Sequence, residues 1–184
     1  RRWRDALRIW WREIDKVLLL LIGLLMAIGI VAVAAASPAS ADMLSTATKR
    51  VPDFMFFNRH IVFQLMGLAL MIGLSFLSRD QARRLGILVG AVMLALLFVV
   101  PVIGEEKNGA RRWINVGMSL QPSEFLKPGF AIICAWVLSW RLRDPGLPVI
   151  WYVSGLMGLI AALLMLQPNL GDAILFGGIW LVMV

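Results

Sequence analysis

Three short polar clusters interrupt an otherwise apolar chain, each at the end of an apolar run. The first, Gly109-Ala110-Arg111-Arg112-Trp113-Ile114, sets two guanidinium groups side by side. A guanidinium is planar and always charged, and it grips phosphate or carboxylate oxygens with paired N–H bonds. The second, Gln121-Pro122-Ser123-Glu124-Phe125-Leu126-Lys127-Pro128, opens the next run with an acid and a base three residues apart. That spacing puts both on one helix face, and Pro122 suits a first helical turn. The third, Gln167-Pro168-Asn169-Leu170-Gly171-Asp172, is a Pro/Gly turn carrying an amide and a carboxylate. Ionisable groups at a membrane boundary are expensive and usually functional. The chemistry they suit is capture of an anionic, lipid-borne substrate. Arg111, Arg112, Trp113, Gln121, Ser123, Glu124, Lys127, Asn169 and Asp172 are the candidate binding residues. Each also has a plainer reading. Glu105 and Glu106 could pair with the arginines, Glu124–Lys127 could fix helix packing, Trp113 could be an interfacial anchor, and Asn169 and Asp172 could satisfy a turn backbone. No residue among them stands out as a general base, and the catalytic residue is unknown from these positions.

The elements that must hold these clusters are membrane helices. Mean hydropathy is +0.83, and 60% of residues are hydrophobic against 16% charged. The runs at 17–36, 59–77, 85–103, 122–140 and 149–166 approach the roughly 20 residues needed to cross a bilayer. The expected fold is an all-α polytopic helical bundle, with five complete transmembrane helices and the start of a sixth at 170–184. That last run stops while still apolar, so the chain reads as the N-terminal part of a longer one. Residues 1–16 place Trp3, Leu7, Trp10, Trp11 and Ile14 at helical spacing among arginines, the pattern of an amphipathic interfacial helix.

Lys and Arg sort unevenly between the two sides. Residues 1–16 carry six, the 78–84 connection three (Arg79, Arg83, Arg84) and the 141–148 connection two (Arg141, Arg143). The alternate connections hold Lys49, Arg50, Arg59, Lys107, Arg111 and Arg112. The positive-inside rule therefore puts the N-terminus in the cytoplasm. Anionic lipid headgroups account for the net charge of +7 without nucleic acid. Lys107, Arg111 and Arg112 run against that rule, which argues for a use beyond anchoring. His60 is the only histidine and Cys134 the only cysteine, so neither a disulfide framework nor a metal set is indicated. His60 reads as an interfacial cap. No cofactor is evident, and a divalent cation remains open.

At the three clusters the chain resembles the SEDS family (shape, elongation, division, sporulation). The clusters occur in family order at family spacing, and the likeness covers essentially the whole chain, about the first half of a family member. Asn58-Arg59-His60 and residues 75–84 resemble the division member more than the elongation member. The resemblance implies a ten-helix inner-membrane peptidoglycan glycosyltransferase that polymerises lipid II on the outer face. It also implies a class B penicillin-binding transpeptidase and other divisome membrane proteins as partners, at the septum. Arg111 and Arg112 would then contact the pyrophosphate or line the groove, above a polar cavity shaped by Glu124 and Lys127. The family's candidate catalytic aspartate would lie beyond residue 184. Where the family usually has Pro-Asp, this chain has Pro168-Asn169, which removes a charge. A lipid II transporter and a non-catalytic scaffold for the transpeptidase are the competing readings.

Overall fold

The structure, a computed structural model, describes residues 2–46, 50–107 and 109–184. Of the basic residues counted above, Arg1 and Lys49 lie outside them, as do the side chains of Arg2 and Lys107. Five helices are long and apolar enough to cross a membrane, which makes this a multi-pass membrane protein. The chain divides into two compact units, residues 1–77 and 78–184.

The first unit holds α1 (Arg2–Glu13), α2 (Lys16–Leu44) and α3 (Met55–Ser75). Asp15 starts α2 by accepting the N–H groups of Val17 and Leu18 at 2.9 and 3.0 Å, which satisfies donors a helix start leaves open. α2 continues past Ala36 through the alanine-rich stretch to Leu44, with Pro38 inside it. Alanine favours the helix strongly enough to carry it over one lost hydrogen bond. Ser37, buried, donates to the Asp53 carbonyl at 2.6 Å and so ties the end of α2 to the start of α3. Gln64 of α3 donates to the Met26 carbonyl at 2.9 Å. α3 begins at Met55 with Phe54 at the cap position. His60 is therefore inside the helix and does not cap it. Its Nε2 is buried without a hydrogen-bond partner, and a Cβ added at Gly29 would lie 3.4 Å from it. α1 docks through Trp10, whose indole N–H donates to the Ser75 hydroxyl at 2.7 Å and whose ring stacks on Phe76.

The second unit holds α4 (Arg79–Ile103), β1 (Glu105–Lys107), β2 (Ala110–Asn115), β3 (Ser119–Leu120), α5 (Pro122–Ser139), α6 (Val149–Leu166) and α7 (Leu170–Met183). A capping box between Ser78 and Gln81 starts α4. α4 and α5 cross where glycines let the backbones meet. A Cβ added to Gly129 would stand 2.6 Å from the Gly90 Cα, nearer than any real side chain comes. Such small-residue crossings are how membrane helices gain packing without a hydrophobic driving force between them. Leu97, Leu126, Phe130, Cys134, Val153, Ile160, Leu164 and Phe176 form the core between α4, α5, α6 and α7.

The connection from α4 to α5 is not a loop but a small antiparallel sheet in the order β1-β2-β3. Glu106 pairs with Arg111 and Lys107 with Ala110 in one ladder; Ile114 pairs with Leu120 in the other. Gly109 and Gly117 take φ of +76° and +87°, values that a residue with a Cβ adopts only under strain. The sheet is an addition to the helical architecture that sequence reading expects, and it fixes the arginines.

Candidate functional site

Strand geometry decides what the two adjacent arginines do. Successive side chains on a strand point to opposite faces, so Arg111 and Arg112 part company. Arg111 turns to its ladder partner Glu106 at 3.7 Å, with both side chains about half exposed or more. Arg112 turns inward to the link between α6 and α7. Its Nε donates to the Gln167 carbonyl at 3.1 Å and its Nη2 to the Pro168 carbonyl. Gln167 is buried, and its own amide donates to the Leu97 carbonyl of α4 at 3.2 Å. One guanidinium thus clamps β2 onto the α6–α7 turn, and Gln167 clamps that turn onto α4.

Beneath the clamp lies a second, buried network centred on Asp172. Its Oδ2 accepts from Asn169 at 2.6 Å, Ser123 at 2.7 Å and Gln121 at 3.3 Å. Its Oδ1 meets Lys127 Nζ at 2.8 Å, and the same ammonium reaches Glu124 at 2.9 Å. Local sequence explains the convergence. Asn169 caps α7 by accepting the Asp172 N–H, so cap and first-turn carboxylate meet side by side near the positive end of the helix. Pro122 begins α5, placing Ser123, Glu124 and Lys127 in its first two turns. Gln121, just before it, also donates to Ser123 at 3.0 Å, while that hydroxyl donates onward to Asp172.

Oδ2 of Asp172 thereby takes three donors and Oδ1 the Lys127 ammonium, so this carboxylate is a fixed counter-charge. Glu124 is different, because its side chain remains 51% exposed while Lys127 is only 20% exposed. The arrangement is an acid-topped ion pair with its lower half sealed. Among the described residues no three His, Cys, Asp or Glu side chains gather as a metal site would need.

The comparisons with known proteins agree with one another. A family profile described as cell cycle protein, covering FtsW, RodA and SpoVE, matches residues 15–184. The chain belongs to this family. A probable peptidoglycan glycosyltransferase FtsW of Caulobacter vibrioides is 32% identical over 173 residues, covering 94% of this chain and 43% of that protein. The similarly named protein of Halorhodospira halophila is 32% identical, over 90% of this chain and 42% of the relative. Among solved structures, the rod-shape-determining protein RodA of Thermus thermophilus superposes with a TM-score of 0.69 at 28% identity, over 90% of this chain and 51% of RodA. A chain of a peptidoglycan synthase complex, described as coordinating polymerization and crosslinking, gives 0.66 at 30% identity over 89% of this chain and 45% of that one. The chain thus spans a little under half the length of the curated relatives it matches.

In this FtsW/RodA/SpoVE-family chain, the structure brings Gln121, Ser123, Glu124, Lys127, Asn169 and Asp172 into one network. Arg112 adjoins it through the α6–α7 turn, and Arg111 stands apart on the other face of β2. Trp113 pairs with Glu105 across the ladder. Gln167 is the member that sequence reading left out of the site. Its signal was its place at the front of the third polar cluster, where a buried glutamine must find partners for both ends of its amide.

Proposed function

We propose that the complete protein is a peptidoglycan glycosyltransferase of the division type, polymerising lipid II on the outer face of the bacterial inner membrane at the septum. The observation that carries this reading is a half-exposed guanidinium at Arg111 on a strand that Arg112, from the opposite face, braces against the α6–α7 turn and its buried polar network, at one end of a membrane-helix cluster. FtsW-named relatives support the reaction class. The positive-inside count supports a cytoplasmic N-terminus and so an outer location for β2.

The charges give each residue a task. Arg111, Arg112 and Lys127 are matched by Glu106, Glu124 and Asp172, so the site holds no standing excess of positive charge. An arriving pyrophosphate would compete with Glu106 for Arg111, and that exposed pair is weak enough to yield, being worth about 0–1 kcal/mol. Arg111 would then bind phosphate oxygens bidentately and stabilise the leaving undecaprenyl diphosphate. Arg112 is a positioning residue that keeps β2 in register with the α6–α7 turn, and the Asp172 network holds α5 and α7 at the spacing the site needs. Deprotonation of the acceptor sugar hydroxyl requires a base, which this reading assigns to the remainder of the protein. A class B penicillin-binding transpeptidase is the proposed partner, supported by the synthase complex among the structural relatives.

The test is polymerisation of fluorescent lipid II by the complete protein and its cognate transpeptidase in liposomes. Wild type should make long glycan strands. Arg111→Ala should weaken lipid II binding and slow synthesis, while Arg112→Ala should lose synthesis through displacement of β2. Movement of labelled lipid II across the bilayer with no polymer would replace this reading with a transporter. Transpeptidase binding with no affinity for lipid II would replace it with a scaffold.

A further inference from the structure

A second cationic recess lies at the opposite ends of α4 and α5 and plays no part in the site above. Arg79 and Arg83, one turn apart on α4, line a cleft of about 460 Å³ with Ile132, Ala135, Trp136 and Ser139 of α5. The charges there are weakly held. Arg83 meets Asp80 at 3.0 Å, but that aspartate is 74% exposed, so water screens the pair. Arg79 has no ion-pair partner among the described residues. Trp136 packs edge-on against Trp140, with centroids 5.0 Å apart, a pairing of the kind that sits at a membrane–water boundary. One wall is fixed by the tight helix crossing, since a Cβ at Gly86 would fall 2.3 Å from the Ile132 Cδ1. Two cations at the rim, an indole beside them and an aliphatic wall leading toward the spanning part of α5 suit an amphiphile with an anionic head.

We propose that this cleft binds an acidic phospholipid, its phosphate on Arg79 and Arg83 and an acyl chain along Ile132 and Ala135. Free phosphate would use only the rim and leave the apolar wall unmatched, whereas a phospholipid uses both. Basic recesses between membrane helices on the cytoplasmic side have this chemistry, and the charge count places these helix ends on that side. The site is independent of the glycosyltransferase reading.

The experiment is native mass spectrometry of the complete protein released from phosphatidylcholine nanodiscs containing cardiolipin or phosphatidylglycerol. Wild type should retain acidic lipid in preference to phosphatidylcholine. Each arginine near such a headgroup contributes about a fivefold affinity change. Arg79→Gln alone, which breaks no ion pair, should therefore lower acidic-lipid affinity, read from occupancy against lipid content, about fivefold, and Arg79→Gln with Arg83→Gln further. Arg84→Gln, outside the cleft on the same turn of α4, should leave it unchanged. Equal loss in Arg84→Gln would reduce the effect to diffuse surface charge and overturn the proposal. So would absence of an acidic-lipid preference, or displacement of the lipid by millimolar inorganic phosphate.

Discussion

The two units use equally apolar helices but hold them by different means. In residues 1–77, α3 buries no residue and α2 buries only Ser37 and Ala41. Their joints are a few polar bonds, from Ser37 to the Asp53 carbonyl, from the Phe57 N–H to Ser37 and from Gln64 to the Met26 carbonyl. In residues 78–184, four helices share a core around Leu97, Phe130, Ile160 and Phe176, reinforced by the Gly90–Gly129 crossing and the Asp172 network. α2 is the most hydropathic of the five spanning helices, yet none of its most apolar stretch is buried. Lipid tails are as apolar as leucine, so hydropathy inserts a helix without telling it what to pack against. Small residues, shape and polar pairs supply that information.

The comparison can be broken by substitutions ranked by expected cost. Asp172→Ala should be the most damaging, by about 3–5 kcal/mol, because it leaves the largely covered Lys127 ammonium with Glu124 alone and takes the shared acceptor from three donors. Reversible unfolding of the complete protein in mixed micelles measures this, and a loss below 1 kcal/mol would deny the network its structural role. Phe176→Ala should cost on the order of 3 kcal/mol through the cavity it opens between α5 and α7. Its counterpart in the first unit, Leu25→Ala, is 68% exposed and should stay within about 0.5 kcal/mol. Equal effects from these two would erase the distinction between the units. Gly129→Ala should cost about 1–3 kcal/mol by overpacking the α4–α5 crossing, read in the same unfolding experiment. Ser75→Ala should be mildest, at about 1 kcal/mol or less, since both hydrogen bonds it removes, from Trp10 and to the Ile72 carbonyl, are exposed and water can replace them. Faster hydrogen exchange confined to α1 would show that Trp10 is its latch.

Much of the candidate site was legible residue by residue. Glu124 and Lys127 meet because the helix brings positions three apart together, and Pro122 opens α5 because proline loses nothing at a first turn. The roles of the arginines were not legible. Adjacent in sequence, they read as one cationic pair until the strand put them on opposite faces. The Asn108-Gly109 dipeptide is a two-residue turn signal, and reading it would have foretold the hairpin, though not that Arg112 is held by two backbone carbonyls. Asn169 in place of an aspartate read as a lost charge. In the structure its amide donates to Asp172 at 2.6 Å, where a second carboxylate would repel the first.

The sequence by itself determined that the chain is a set of membrane helices, where most of them run, and which three polar clusters interrupt them. Those properties follow from local hydropathy and from backbone preferences, which act within a few turns. Tertiary structure alone decided that a cap on α7, the first turns of α5 and a strand beyond α4 meet at one place. It also decided that Arg112 braces while Arg111 is left available, and that the most hydropathic helix leaves its most apolar stretch unburied. These depend on contacts between residues about 50 positions apart, such as Ser123 with Asp172 and Arg112 with Gln167. Geometry selects such contacts, because inside a bilayer apolar attraction does not distinguish one helix face from another.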